Sequence, residues 1–149
     1  MNYDSSKDTL EHMQKVSKVV SRLVLELITR MQNHDASKLR DPEKAIFDVF
    51  TPKLKDSTYG SEEYKEFLKE MGSALTNHYG LNPHHPEHYH NGVDGMDLID
   101  LVEMFCDWKA ATERHADGNI NKSISINKDR FKLSDQLVSI LQNTVKRYF

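Results

Sequence analysis

Apolar residues recur every three or four positions along most of this chain, and that spacing is typical of amphipathic helices. No convincing pair of segments with alternating polarity indicates β-strands. We therefore expect an all-α fold, a single compact helical bundle that forms one domain over residues 1–149. The expected helices begin at residues with capping chemistry, namely Asp8 with Glu11, Asp41 before Pro42, Ser61 and Ser134. They cover residues 8–31, 42–50, 61–78, 96–114, 120–131 and 134 onwards, with a loop at 51–60.

The expected helix over residues 96–114 carries an acidic stripe on a mostly apolar surface. At 100° per residue, one face collects Asp100, Glu103, Asp107 and Arg114. A helix that is apolar on most sides is buried, so the stripe should face the interior or a cleft, where bare carboxylates are costly. A cation would offset that cost, and we prefer Asp107 as its ligand. Glu103 is a second ligand or orients a histidine, and the alternative is a solvated face paired with Arg114.

Five of the eight histidines lie within thirteen residues that end one helix and enter a loop rich in glycine and proline. We expect His78, at the helix end, and either His84 or His85, between two prolines, to bind a metal, with His85 as the selected candidate. Imidazole combined with carboxylate favours Mn, Fe, Co, Ni or Zn. His88 and His90 are expected farther out. The alternative is a polar surface turn with a chance run of histidines.

Composition narrows the class of protein without identifying it. The apolar fraction of 38% and the net charge of −3 are typical of a soluble globule and disfavour stable nucleic-acid binding or an anionic membrane surface. No signal peptide or membrane span is recognisable. The single cysteine, Cys106, excludes a disulfide framework and is expected to be a small core residue. We expect a cytoplasmic protein, and a homo-oligomer remains open.

The second group of candidate residues surrounds the pair His34-Asp35, which can reach one ion from a helix end. Lys38 follows closely and is a candidate phosphate contact, as is Arg114. Glu43, at the start of the next helix, is a candidate general base, and Glu103 is the other.

These residues resemble two families. The arrangement resembles the HD-domain metal-dependent phosphohydrolases, in which a first His, an HD pair and a last Asp from different helices bind one or two divalent metals. In this chain the matching residues are His12, His34, Asp35 and Asp107. Nearly the whole chain also resembles an uncharacterised family found in phages and bacteria, marked by HDxSK, NxHHPEH and EMxxDW, here at residues 34–38, 82–88 and 103–108.

His12 fits the HD-domain pattern only if the chain turns back before His34. Twenty-two residues of straight helix would separate the two by roughly 33 Å, too far to share an ion. The intervening SRLVLELITR contains no helix breaker. His12 is therefore either a ligand reached through a hairpin or a histidine packed on the core face.

The preferred hypothesis is a metal-dependent phosphohydrolase that acts on a small phosphorylated molecule, with a nucleotide as the favoured substrate through the HD-domain resemblance. The expected metal ligands are His12, His34, Asp35, His78, His85 and Asp107. Two alternatives remain open: a helical binding protein with a structural metal and no turnover, which sequesters a nucleotide or a host factor, and an interaction module without a metal.

Overall fold

The computed structural model describes residues 3–58, 60–114 and 118–149. Within these ranges the chain forms six α-helices and no β-strand, which confirms the all-α prediction. The helices are α1 Ser6–Asn33, α2 Glu43–Asp56, α3 Glu62–Leu81, α4 Leu98–Thr112, α5 Ile120–Phe131 and α6 Asp135–Tyr148. Short 3-10 turns occupy Ala36–Leu39, Pro86–His88 and Gly92–Gly95. The chain divides into two compact units, Met1–His34 and Asp35–Phe149, and the expectation of a single domain stays a prediction.

The first unit consists essentially of α1. This helix begins at Ser6, where Asp4 accepts bonds from the backbone N at 3.0 Å and from Oγ at 2.6 Å. The predicted capping box of Asp8 and Glu11 is wrong, because the helix starts two residues before Asp8. None of the residues of α1 is buried.

The larger unit has its apolar core where α4, α5 and α6 meet. The stacked rings of Trp108 and Phe131, 6.1 Å apart, pack α4 against α5. Ser134 accepts a bond from the backbone N of Leu137 at 3.2 Å, as predicted for the start of α6. Because the apolar side of α4 is packed in this core, the position of the helix is fixed. The buried members of the core are Met104, Phe105, Trp108, Ile120, Ile124, Leu133, Leu141 and Val145.

Helices α2 and α3 form the other part of this unit. The loop predicted over residues 51–60 is largely wrong, because α2 continues through Pro52 to Asp56. Buried Phe50 lies 6.3 Å from Phe67 of α3, and this packing outweighs the usual effect of an internal proline. Gly72, with φ +41°, kinks α3 and separates its capped start from the segment that carries the histidine at its end.

The start of α4 is fixed by a capping box formed by Asp97 and Asp100. Tyr89 also donates from its hydroxyl to Asp100 Oδ2 at 2.6 Å, which ties the preceding loop to the helix. Gly95 is required at this point, because a Cβ there would lie 2.8 Å from Tyr89 Cβ. In the part of the chain that the structure describes, no helix is both long and apolar enough to cross a bilayer.

Candidate metal centre

Four side chains of the larger unit converge on one point. Asp35, His78, His84 and His85 each offer one ligand atom, and these four atoms all lie within 4.8 Å of one another. His78 stands in the last turn of α3, His84 and His85 follow in the loop between Pro83 and Pro86, and Asp35 precedes the first 3-10 turn. His78 and His84 are each only 1% exposed, so their positions are set by packing on all sides.

Asp35 is presented by an unusual backbone conformation. Its φ of 57° and ψ of 14° place it in the left-handed region, where it caps the turn Ala36–Leu39. Lys38 in that turn donates to Asp35 Oδ2 at 2.6 Å. The other carboxylate oxygen, Oδ1, lies 3.2 Å from His78 Nε2 and 3.5 Å from His84 Nε2. Asp35 therefore presents Oδ1 to two imidazoles while Lys38 holds Oδ2.

His78 is oriented by a carboxylate on its outer side. Its Nδ1 lies 3.0 Å from Oε2 of Glu43, which is 1% exposed. Glu43 also accepts from Ser37 Oγ at 2.8 Å and, through Oε1, from Asn77 Nδ2 at 2.8 Å. A carboxylate oxygen only accepts, so we assign the imidazole hydrogen to Nδ1. This assignment leaves the lone pair of Nε2 directed toward Asp35 and His85.

Asn82 supports that assignment of the imidazole hydrogen. Its amide nitrogen lies 2.8 Å from the His78 carbonyl, 2.9 Å from Ser37 Oγ and 3.0 Å from His78 Nδ1. An amide carries two hydrogens, and the carbonyl and hydroxyl oxygens can accept both. His78 Nδ1 is thereby left to donate to Glu43.

His84 is oriented in the same way as His78, by a carboxylate, which in this case comes from α4. Its Nδ1 lies 3.2 Å from Oε1 of Glu103, whose side chain is 9% exposed. The same reasoning places the hydrogen on Nδ1 and directs the Nε2 lone pair toward Asp35. Glu103 therefore matches one of its two predicted roles, the orientation of a histidine from behind.

His85 completes the set of imidazoles. Its Nε2 lies 2.9 Å from His78 Nε2, and the two rings meet edge to face with centroids 4.8 Å apart. Burial, followed by the neighbouring His84 and His78, lowers the pKa of His85 to about 3, although Asp107 and Asp35 oppose the shift. The ring is consequently uncharged at neutral pH, which is the form that binds metals.

The acidic stripe on α4 divides into two parts. Asp107 offers a carboxylate oxygen within 4.8 Å of one on Asp35, one turn beyond Glu103. Asp100, in contrast, is buried in the first turn of the helix, where it forms the capping box with Asp97. Arg114 lies exposed two residues beyond the last residue of α4, so the helical periodicity that placed it on the stripe does not extend to it.

The structure corrects the prediction for His12. Helix α1 is unbroken from Ser6 to Asn33, so the hairpin that the HD-domain pattern requires is absent. His12 lies exposed on this helix, roughly 33 Å along the axis from His34, and cannot share an ion with it in the same chain. His34 ends the first unit and directly precedes Asp35, and its role as a ligand stays a prediction.

Several residues of this hydrogen-bond network are not among the predicted site residues. His84 was only the alternative to His85, yet it is the more deeply buried of the two. Ser37, Asn77 and Asn82, which surround Glu43 and His78, were not identified as part of a site. The sequence does contain a signal for two of them, because Ser37 lies in the HDxSK motif and Asn82 in the NxHHPEH motif.

Cys106 does not occupy the core position expected of it. It is exposed on α4, next to Asp107. Partial burial, with added repulsion from Glu103 and Asp107, raises the pKa of its thiol. A raised pKa reduces the thiolate fraction, so Cys106 is a poor nucleophile.

We expect Glu103→Gln to lower metal affinity by about 10- to 100-fold, as is usual when a residue that orients a ligand is replaced. Glutamine keeps the size of the side chain but removes the charge that fixes the hydrogen on His84 Nδ1. Competition against a metallochromic chelator measures the change. Glu113→Gln, at the exposed end of the same helix, is the matched control, and an equal effect of both substitutions would contradict the orienting role.

The fold and the site define an all-α protein with a buried group of histidine and aspartate that could hold a metal ion. A family model described as "Family of unknown function (DUF5662)" matches residues 1–147, and the chain belongs to this family. No curated protein and no solved structure matches the chain. The function must therefore be argued from the site itself.

Proposed function

We propose that this protein is a metal-dependent phosphohydrolase that acts on a small phosphorylated molecule, with a nucleotide as the favoured substrate. The observation that carries the metal site is the contact of Glu43 with His78 Nδ1 and of Glu103 with His84 Nδ1, while Asp35 Oδ1 lies near both Nε2 atoms. Glu43 and Glu103 accept the Nδ1 hydrogens, so both Nε2 lone pairs face Asp35 Oδ1 across 3.2 and 3.5 Å. A carboxylate oxygen that faces two such lone pairs is repelled by them, and a cation between these atoms would replace the repulsion by attraction.

The ligand atoms of this group suit a divalent transition metal. Three imidazoles and at least one carboxylate favour Mn, Fe, Co, Ni or Zn over an all-oxygen magnesium site. Histidines that ligate metals usually donate their other ring hydrogen to a carboxylate, and Glu43 and Glu103 supply such partners here. Asp107 is the proposed further ligand from α4, and His34 is another on the basis of the HD-domain resemblance.

The residues of the chain then take distinct roles in the proposed reaction. A bound metal would lower the pKa of water and polarise a phosphoryl oxygen. Glu43 is fully buried and accepts three hydrogen bonds, so we assign it to the orientation of His78 in place of the predicted role as general base. Lys38 holds Asp35 and places a positive charge beside the ligands, where a phosphate would need one. Arg114 stays a predicted phosphate contact.

The proposal is tested with untagged protein, because a His tag would bind the same metals. Elemental analysis should find a transition metal that co-purifies with the chain. The loaded protein, supplied in turn with Mn, Co or Ni, is then given nucleoside mono-, di- and triphosphates and simple sugar phosphates, and phosphate release is measured. Release that disappears in the metal-free protein supports the proposal. A stoichiometric metal without release from any of these substrates contradicts the phosphohydrolase function.

One observation favours a second candidate function, binding without turnover. The group of Asp35, His78, His84 and His85 already offers four donors, enough to complete a tetrahedral structural site. In that case the metal would hold α3 and its loop in place, and the protein would sequester a small phosphorylated ligand or another factor. Spectra of the cobalt-substituted protein separate the two functions: closed four-coordination that nucleotides leave unchanged favours binding alone, and a perturbed spectrum favours the enzyme.

A further inference from the structure

Helix α1 carries a long apolar surface whose side chains are exposed except at Leu27, which is partly buried. Nine side chains, each between 41% and 69% exposed, fall within about half of the helix circumference when placed at 100° per residue. We call this surface the α1 stripe. Its members are Leu10, Met13, Val16, Val19, Val20, Leu23, Val24, Ile28 and Met31.

The area of the α1 stripe is large enough for a stable protein interface. A fully exposed aliphatic side chain presents roughly 60–120 Å² of apolar surface by transfer-energy arithmetic, so nine half-exposed ones present about 400 Å². At an apolar share of about 65%, as in homodimers, the interface would cover roughly 600 Å² per copy. Standard interfaces bury roughly 600–1,000 Å² per partner. An apolar patch of about 400 Å² lies within the roughly 300–600 Å² of the largest patches on monomers, and such patches are often functional.

The composition of α1 favours a protein partner over a membrane surface. Helices that lie in membrane interfaces present Trp or Phe on the apolar face and mainly Lys and Arg on the polar face. The α1 stripe contains no aromatic residue, and the polar side of α1 mixes Asp8, Glu11 and Glu26 with Lys7, Lys15, Lys18 and Arg22. Valine and leucine at helical spacing are instead typical of helix–helix seams.

The charges on α1 indicate which way a second α1 would run. The first half of α1 carries Asp8 and Glu11 together with Lys7, Lys15 and Lys18, and the second half carries Glu26 with Arg22 and Arg30, so neither half is acidic overall. Asp8 and Arg30 border the same edge of the stripe, within 40° of each other at 100° per residue. A parallel pair would align the two helix dipoles in the same direction. An antiparallel pair brings Asp8 to within one helical turn of Arg30 of the second copy, and it also opposes the helix dipoles.

We propose that the chain forms an antiparallel homodimer in which the α1 stripes of two copies cover each other. The stripe is nearly symmetric about its midpoint, so a two-fold axis near Val20 pairs Leu10 of each copy with Met31 of the other. Such an interface is isologous, because the same patch serves on both sides. The proposal concerns α1 alone and does not depend on the metal site.

The first test is the mass of the full chain by light scattering and sedimentation velocity over a range of concentrations. We expect a species of twice the 17.3 kDa of one chain. Leu23→Glu should raise the dimer dissociation constant by about 100-fold or more, because it places two unpaired charges in the seam. Leu25→Glu is the matched control, since Leu25 is 64% exposed on nearly the opposite side of α1. A chain that is monomeric at every concentration overturns the proposal and assigns the stripe to another part of the chain or another partner.

Disulfide cross-linking is an independent test that places no charge in the interface. In a Cys106→Ser background, Leu10→Cys and Met31→Cys are prepared separately, mixed and oxidised. Antiparallel pairing predicts a disulfide between the two different variants and none within either variant alone. Disulfides within each single variant would overturn the antiparallel arrangement. A dimer that Leu23→Glu leaves intact, together with no cross-link of either kind, would overturn the α1 interface altogether, and circular dichroism checks that every variant remains helical.

Discussion

His84→Ala is expected to abolish stoichiometric metal binding, with a loss of affinity greater than about 100-fold, because direct ligands contribute more than the residues that orient them. His84 is 1% exposed, its Nε2 faces Asp35 Oδ1, and Glu103 fixes its other nitrogen. The substitution also leaves Glu103 without its imidazole partner, so one change disturbs two sides of the site. Elemental analysis and isothermal titration with Mn or Zn measure the effect.

His90→Ala is the matched control for His84→Ala. His90 is a histidine of the same loop, but it is exposed, and it belongs to none of the groups in the described residues that could hold an ion. The control should bind the metal as tightly as the unaltered chain. Equal loss in both variants would mean that the loop binds metals adventitiously through its surface histidines, and the buried site would lose its support.

Removal of the metal is expected to lower the melting temperature by about 5–10 °C. A ligand present at 100 times its dissociation constant stabilises the native state by about 2.7 kcal/mol, and each kcal/mol shifts Tm by roughly 2–4 °C in a domain of this size. The candidate ligands come from the turn after α1, the end of α3, the following loop and α4, so an ion would join parts of the larger unit that otherwise meet only through side chains. Calorimetry before and after dialysis against a chelator measures the shift.

The His84→Ala variant serves as the reference for this chelation experiment. Its melting temperature should not respond to the chelator, because it has no site to empty. A decrease of equal size in the variant would show that the chelator acts elsewhere. An unaltered chain whose Tm stays constant while its metal content falls to zero would contradict the expected coupling between the ion and the fold.

Much of the fold was predictable because local signals and burial agree. The helix over residues 120–131 was predicted with the bounds that the structure gives it, and Ser61 and Ser134 both cap the helices assigned to them. The failures arise where tertiary contacts override local preference. The loop predicted over residues 51–60 is largely helical because Phe50 packs against Phe67 and α2 continues to Asp56.

Several residues of the candidate site could be predicted from the sequence, but their arrangement in space could not. Residue types placed Asp35, His78, His85 and Asp107 in one expected group. The structure brings Asp35, His78 and His85 together with His84, and Asp107 lies near Asp35. Sequence spacing could not distinguish His84 from His85, because both are flanked by the same two prolines and only the path of the loop decides which is buried. Nor could it place Glu43 behind His78, since that contact spans 35 positions of the chain.

The left-handed backbone at Asp35 limits which residues evolution can place there. With φ at 57°, most side chains would cost about 1–2 kcal/mol, whereas glycine and, to a lesser extent, asparagine and aspartate accept this conformation. Of these three, only aspartate supplies a charged oxygen. A lineage that loses the proposed ion is therefore expected to pass most easily through asparagine or glycine at this position. Either residue would preserve the turn that carries Lys38 while removing the charge that the imidazoles face.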